Sequence, residues 1–199
     1  MNGIMWKAIT KTIVRNLLAG LVLTLTLVAG TSPTVATSSV ATEVFEKIRD
    51  RLGLMQPVAA WKAKRNLPVE DIEREKIVLQ SSTSKAEAAG IDGPSVKVFF
   101  EEQIAAAKEI QSCWMERWAE DTSETPQTVP DLINEIRPLL IQLGAEILKN
   151  IALALRDSKD RPFDADSEAA FIATIDIDCL SEESKRRIYR ALATVRLKE

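Results

Sequence analysis

Four cationic side chains and one amide are notable for where they fall in this sequence. Arg51 and Lys62 are eleven residues apart. On a continuous helix that is three turns plus about 20°, so both point the same way from an otherwise apolar face, with Cα atoms about 16 Å apart. Two long side chains can shrink that gap to the size of a small dianion. Asp71 and Arg74 stand at a helical spacing of three, with Glu75 next in line. Gln103, Ala107 and Gln111 form a four-residue row beside an aromatic stripe, where an amide needs a hydrogen-bond partner. Arg137, among leucines and isoleucines, poses the same question for a charge. Each has an ordinary reading: Arg51 as a snorkelling surface residue, Asp71 with Arg74 as a local helix pair, Gln111 as a satisfied core amide. Together, cations and an amide on four helices without matching buried carboxylates point to a preformed anion pocket, because unpaired buried charge is costly.

Composition narrows the chemistry further. The chain has no histidine, which removes the usual general base, the triad imidazole and the commonest metal ligand together. With Cys113 and Cys179 the only thiols, a structural zinc site is excluded, and no metal or cofactor is expected. Chemistry must run on Arg, Lys, carboxylates and amides.

The N-terminal segment carries Lys7, Lys11 and Arg15 without an acidic residue, then an apolar run from Leu17 to Ala29 ending in small and polar residues. This is the layout of a secretory signal peptide. The run is shorter than the roughly 20 residues of a bilayer span, and Thr24 and Thr26 interrupt it. Cleavage near Ala36 or Ala41 is therefore expected, with no stable membrane anchor afterwards. Residues 1–41 are assigned to the leader and 42–199 to one domain, large enough for a single core. Setting aside the leader's three basic residues leaves 23 Lys and Arg against 29 Asp and Glu, a net charge of −6. That balance disfavours nucleic acid, which needs a basic face, and requires a local focus of arginines for any anionic substrate. In an oxidising compartment a Cys113–Cys179 disulfide is permitted, the alternative being two buried free thiols.

Scarce glycine and apolar spacings of three and four predict an all-α, single-domain bundle of about six helices. A first helix is expected from about Thr42 to Lys64, burying Phe45, Ile48, Leu52 and Ala59, with a kink near Gly53 because Pro57 lacks an N–H. A turn over Asn66–Asp71 leads to a second helix from about Val69 to Ala89, stopped at Gly90. A third, from about Pro94 to Ala119, carries Phe100, Ala107, Ile110, Trp114 and Trp118 on one stripe, and Glu120–Thr128 reads as a loop. A fourth runs from near Asp131 to about Asp157 through Ile133, Ile136, Leu140, Leu143, Ile147 and Ile151. Two shorter helices, Ser167 to about Ala173 and Ser181 to about Lys198, each have a serine as expected N-cap. Ile172–Ile177 alternates like a strand but has no partner, so extended loop is expected there.

The segments Arg51-Leu-Gly-Leu-Met-Gln-Pro-Val-Ala-Ala-Trp-Lys62, Leu67-Pro-Val-Glu-Asp71-Ile-Glu-Arg74-Glu75 and Phe99-Phe-Glu-Glu-Gln103 through Gln111 resemble the all-helical chorismate mutases, and the leader and later helices resemble their secreted subclass. The resemblance covers about Phe45 to Trp118 strongly, and thereafter rests on Arg137 and Ile188–Ala193. It implies chorismate as substrate and prephenate as product, on the route to aromatic amino acids, in a periplasmic or secreted setting. It further implies that Arg51 and Arg137 take the substrate carboxylates, that Lys62 bridges a carboxylate and the ether oxygen, and that Gln111 donates to the same oxygen. Asp71, Arg74 and Glu75 match positions that organise the pocket and meet the substrate hydroxyl. The site would lie within one chain, Arg137 replacing what a partner subunit supplies, while homodimerisation is left open. Ala107 stands where relatives often carry Ser or Thr, so one carboxylate hydrogen bond is missing, and some secreted relatives have Glu at the place of Gln111. Two other classes compete: a secreted binder of a small dicarboxylate or aromatic acid, which would not need Lys62 and Gln111, and a structural bundle with exposed, separated arginines.

Overall fold

A computed structural model describes residues 39–157 and 162–199, all within one compact unit spanning Thr37–Glu199. Residues 1–38 of the proposed leader, with the cleavage point near Ala36, lie outside the described residues, whereas Ala41 falls in the first turn of α1. The described chain is all helical: α1 (Val40–Gly53), α2 (Met55–Ala63), α3 (Ile72–Ala88), α4 (Gly93–Glu120), α5 (Arg137–Asp157), α6 (Ser167–Thr174) and α7 (Glu182–Ala193). The first expected helix is thus two. Pro57 has no N–H for the carbonyl of Gly53, and the chain breaks at Leu54 before resuming. Helix α1 starts at Val40, earlier than expected, because the Ser39 hydroxyl accepts from the Thr42 N–H.

Asp71 fixes the start of α3, its Oδ1 accepting from the Arg74 N–H at 3.1 Å, so the second helix begins later than Val69. It ends as expected at Gly90, whose φ of +80° suits glycine. There the Ile91 N–H reaches back to Ala86 O at 2.9 Å, closing a Schellman motif. Helix α4 has Asp92 as N-cap and Pro94 in its first turn. Before α5 the backbone widens into one π-turn, Leu132–Ile136, capped by Asp131. The wider turn lies just ahead of Pro138, whose ring cannot lie against the carbonyl four residues back.

The core is built from Phe45, Ile48, Leu52, Phe99, Phe100, Ile110, Ile147 and Ile151 with Phe171, Ile188 and Leu192. Helix α1 lies along α5, and α4 along α2, α3 and α7. Ile133, expected on the buried stripe, is exposed because the π-turn shifts its phase. Ser167 is the first residue of α6 and not its cap. The Asp164 carboxylate takes the Ser167 N–H at 3.1 Å instead. Ser181 does cap α7. The segment expected to be extended is helical through Thr174 and irregular only from Ile175. Helix α7 ends at Ala193, short of Lys198, and the tail pairs with the α3–α4 turn: Asp92 N–H to Arg196 O and Lys198 N–H to Gly90 O, both 2.9 Å.

The last helix is tied to the outer face of α4. The Glu109 carboxylate accepts from the Ser181 N–H at 2.7 Å and from the Ser184 hydroxyl. Arg187 donates to Ser184 Oγ at 2.8 Å and to Glu102 at 3.1 Å. One turn along α4, Cys113 is disulfide-bonded to Cys179, with Cα atoms 5.7 Å apart.

Candidate active site

A cavity of about 220 Å³ opens between α2, α3, α4 and α5, and all seven residues read from the sequence as site residues line it: Arg51, Lys62, Asp71, Arg74, Glu75, Gln111 and Arg137. Arg51 and Lys62 reach it from separate helices, so the phase argument survives the break at Leu54. Phe100, Ile104, Val78 and Leu140 supply an apolar wall.

Arg51 is 7% exposed, makes no ion pair among the described residues, and its Nε has no hydrogen-bond partner. Its guanidinium lies 5.7 Å from the centre of the Phe100 ring. Burial, reinforced by the positive charge of Arg74, brings its pKa down to about 10. Lys62 is 9% exposed and donates to Val69 O at 2.5 Å, closing the 62–69 turn on itself. Burial lowers its pKa, against the opposing pull of Asp71 and Glu75. Arg74 is lowered by burial and then by Arg137, with Asp71 opposing. The cations therefore crowd one another in a partly dry space, an arrangement relaxed by an incoming anion.

Arg137 is not free: its Nη2 lies 3.8 Å from Asp71 Oδ2. Gln111 Nε2 donates to Ala107 O at 2.9 Å and sits 3.7 Å from Met55 Sδ, while its Oε1 is buried without a partner. Ala107 also lines the cavity, but Gln103 does not; it is fully buried, with both amide atoms unpartnered. Lining residues passed over in the sequence include Met55, Lys85 and Lys108. Lys108 could have been found, since it precedes Gln111 by three residues and shares its helix face. Partial burial disfavours its charge, yet the hydrogen bonds it donates to Glu75 and Glu70 prevail and raise its pKa above the ordinary lysine value. No group of three or more metal-ligating side chains occurs among the described residues.

Residues 38–112 match the family model for chorismate mutase type II. Over 151 residues, 76% of this chain and 79% of the relative, the sequence is 33% identical to a secreted chorismate mutase from Yersinia pestis. The chain belongs to the chorismate mutase type II family. The crystal structure of the secreted chorismate mutase from Yersinia pestis superposes with a TM-score of 0.73 at 31% identity, covering 78% of this chain and 98% of that one. A chorismate mutase from Burkholderia thailandensis superposes with a TM-score of 0.63 at 30% identity, over 78% and 98%. A secreted chorismate mutase from Mycobacterium tuberculosis is 32% identical over 112 residues, 54% of this chain and 56% of the relative. The all-helical chorismate mutase fold thus extends past the residues matched by the family model, through α5 and α7.

Proposed function

We propose that this protein is a secreted or periplasmic chorismate mutase that rearranges chorismate to prephenate within a single chain. The observation that carries the reading is the convergence of Arg51, Lys62, Arg74, Arg137 and Gln111 on one cavity, with Arg51 buried and unpaired. The relatives named secreted chorismate mutases support the location.

The rearrangement is pericyclic. It needs no nucleophile and no proton transfer; it needs the enolpyruvyl arm held over the ring and the charge developing on the ether oxygen met by fixed donors. In this reading Arg51 and Arg137 take the two carboxylates, and the Lys62 ammonium and Gln111 amide meet the ether oxygen. Arg74, capped into place by Asp71, adds positive charge, and Asp71 and Glu75 lie where the substrate hydroxyl would be held. The Ala107 methyl offers no hydroxyl to a carboxylate, so binding is weaker than with Ser or Thr there.

The decisive experiment follows the loss of chorismate absorbance with the purified protein and its Lys62→Ala variant. Turnover by the wild type, reduced at least about 1,000-fold in the variant, is expected. A folded, monodisperse wild type without turnover would refute the assignment.

A further inference from the structure

Lys108 has no role in the reading above, yet it sits on the cavity lining between Ala107 and Gln111. Its Nζ is 3.2 Å from Glu75 Oε2 and 3.3 Å from Glu70 Oε1, so one ammonium ties α4 to both the turn before α3 and its first turn. The other Glu75 oxygen faces the Asp71 N–H at 3.4 Å. Asp71 in turn caps α3 through one oxygen and lies 3.8 Å from Arg137 through the other. Lys108, Glu75, Asp71 and Arg137 are therefore linked in a line along the cavity wall, two adjacent carboxylates with a cation at each end.

We propose that Lys108 is a positioning residue which holds the Glu75 carboxylate against the α4 side of the cavity and so keeps Lys62 and Arg137 available to an anionic substrate. The proposal rests on the assignment of the cavity as a chorismate site. Its physical basis is that Asp71 and Glu75 are carboxylates in a cavity meant for a dianion, and both pull electrostatically on Lys62. Glu75 satisfied by Lys108 contributes little repulsion. Released from Lys108, its pull on Lys62 is no longer shared, which would screen Lys62 from the substrate and leave a bare negative charge facing it. Chain stability should change little, since the Lys108, Glu75 and Glu70 side chains are 34%, 25% and 61% exposed and pairs still open to solvent contribute little.

The test compares wild type, Lys108→Met, Lys108→Arg and, as a control, Lys97→Met, which breaks the exposed Lys97–Glu101 pair on the same helix. For Lys108→Met we expect KM for chorismate to rise about tenfold, kcat to fall by less than about threefold, and the melting temperature to stay within about 2 °C. Lys108→Arg should recover most of the KM, because a guanidinium can hold the same two carboxylates, and Lys97→Met should match the wild type. A KM within twofold of wild type for Lys108→Met would overturn the proposal while leaving the activity assignment intact. So would an Arg variant as impaired as the Met variant. A wild type inert toward chorismate would overturn both, and that outcome is separated from the others by the first assay.

Discussion

Arg51 carries a charge that the folded protein does not repay by itself. Its pKa in the folded state, about 10, lies below the ordinary arginine value because of burial and then Arg74. The sign follows: below about 10 the group is charged in both states and the burial cost is fully present. That cost is relieved only as pH rises through the folded-state value. Arg51→Met should therefore melt no lower than the wild type at neutral pH, while kcat/KM falls by at least about 1,000-fold. Calorimetry and the chorismate assay on the same preparation check both halves. Gln111 makes the second case. Its amide donates at any ordinary pH, whereas a glutamate there would donate only when protonated, and its setting beside Met55 and Ala107 would raise that glutamate's pKa. The wild type should keep its kcat/KM between about pH 5 and 8, and Gln111→Glu should lose activity progressively as pH rises over that range. Coincident pH profiles would count against Gln111 as the donor. The amide carries two hydrogens, one given to Ala107 O and the other set only against Met55 Sδ, a weak acceptor.

At the scale of elements, the site depends on how α4 is held from both sides. Its inner face presents Ala107, Lys108 and Gln111 to the cavity, and its outer face carries Glu109 and Cys113, which grip the segment leading into α7. The disulfide closes a loop of 66 residues. Replacing Cys113 and Cys179 by alanine should lower the unfolding free energy by roughly 2–4 kcal/mol in urea titrations, through the greater freedom of the unfolded chain. Turnover by the folded variant should persist, because Glu109 still receives the Ser181 and Ser184 donors. Glu109 pulls the other way with pH: partial burial disfavours its charge, but the hydrogen bonds from Ser184 and Ser181 prevail and lower its pKa. Its stabilisation is present above the ordinary glutamate range and lost as pH falls through the lowered value.

The whole molecule determines whether one chain suffices. The seven residues read as site residues, Arg137 included, meet in one cavity of a single chain, so specific activity should stay constant when enzyme is diluted from micromolar to nanomolar concentration. A fall on dilution would show that a second chain completes the site. The sequence alone determined much of this: helical spacing of apolar residues, absent histidine, and an Arg, Lys, Asp-x-x-Arg and Gln pattern whose members all reach the cavity. The stop at Gly90 and the cap at Ser181 were legible for the same reason, since local hydrogen bonds decide them. What only the tertiary structure decided depends on neighbours far along the chain. The split at Leu54 and the π-turn before Arg137 are local responses to proline, but their extent is set by what α1 and α5 pack against. That Arg137 meets Asp71, that Lys108 bridges Glu70 and Glu75, and that Gln103 belongs to the core instead of the cavity lining are matters of helix rotation and approach. Periodicity says which face of a helix is apolar, but only packing says which neighbour that face meets.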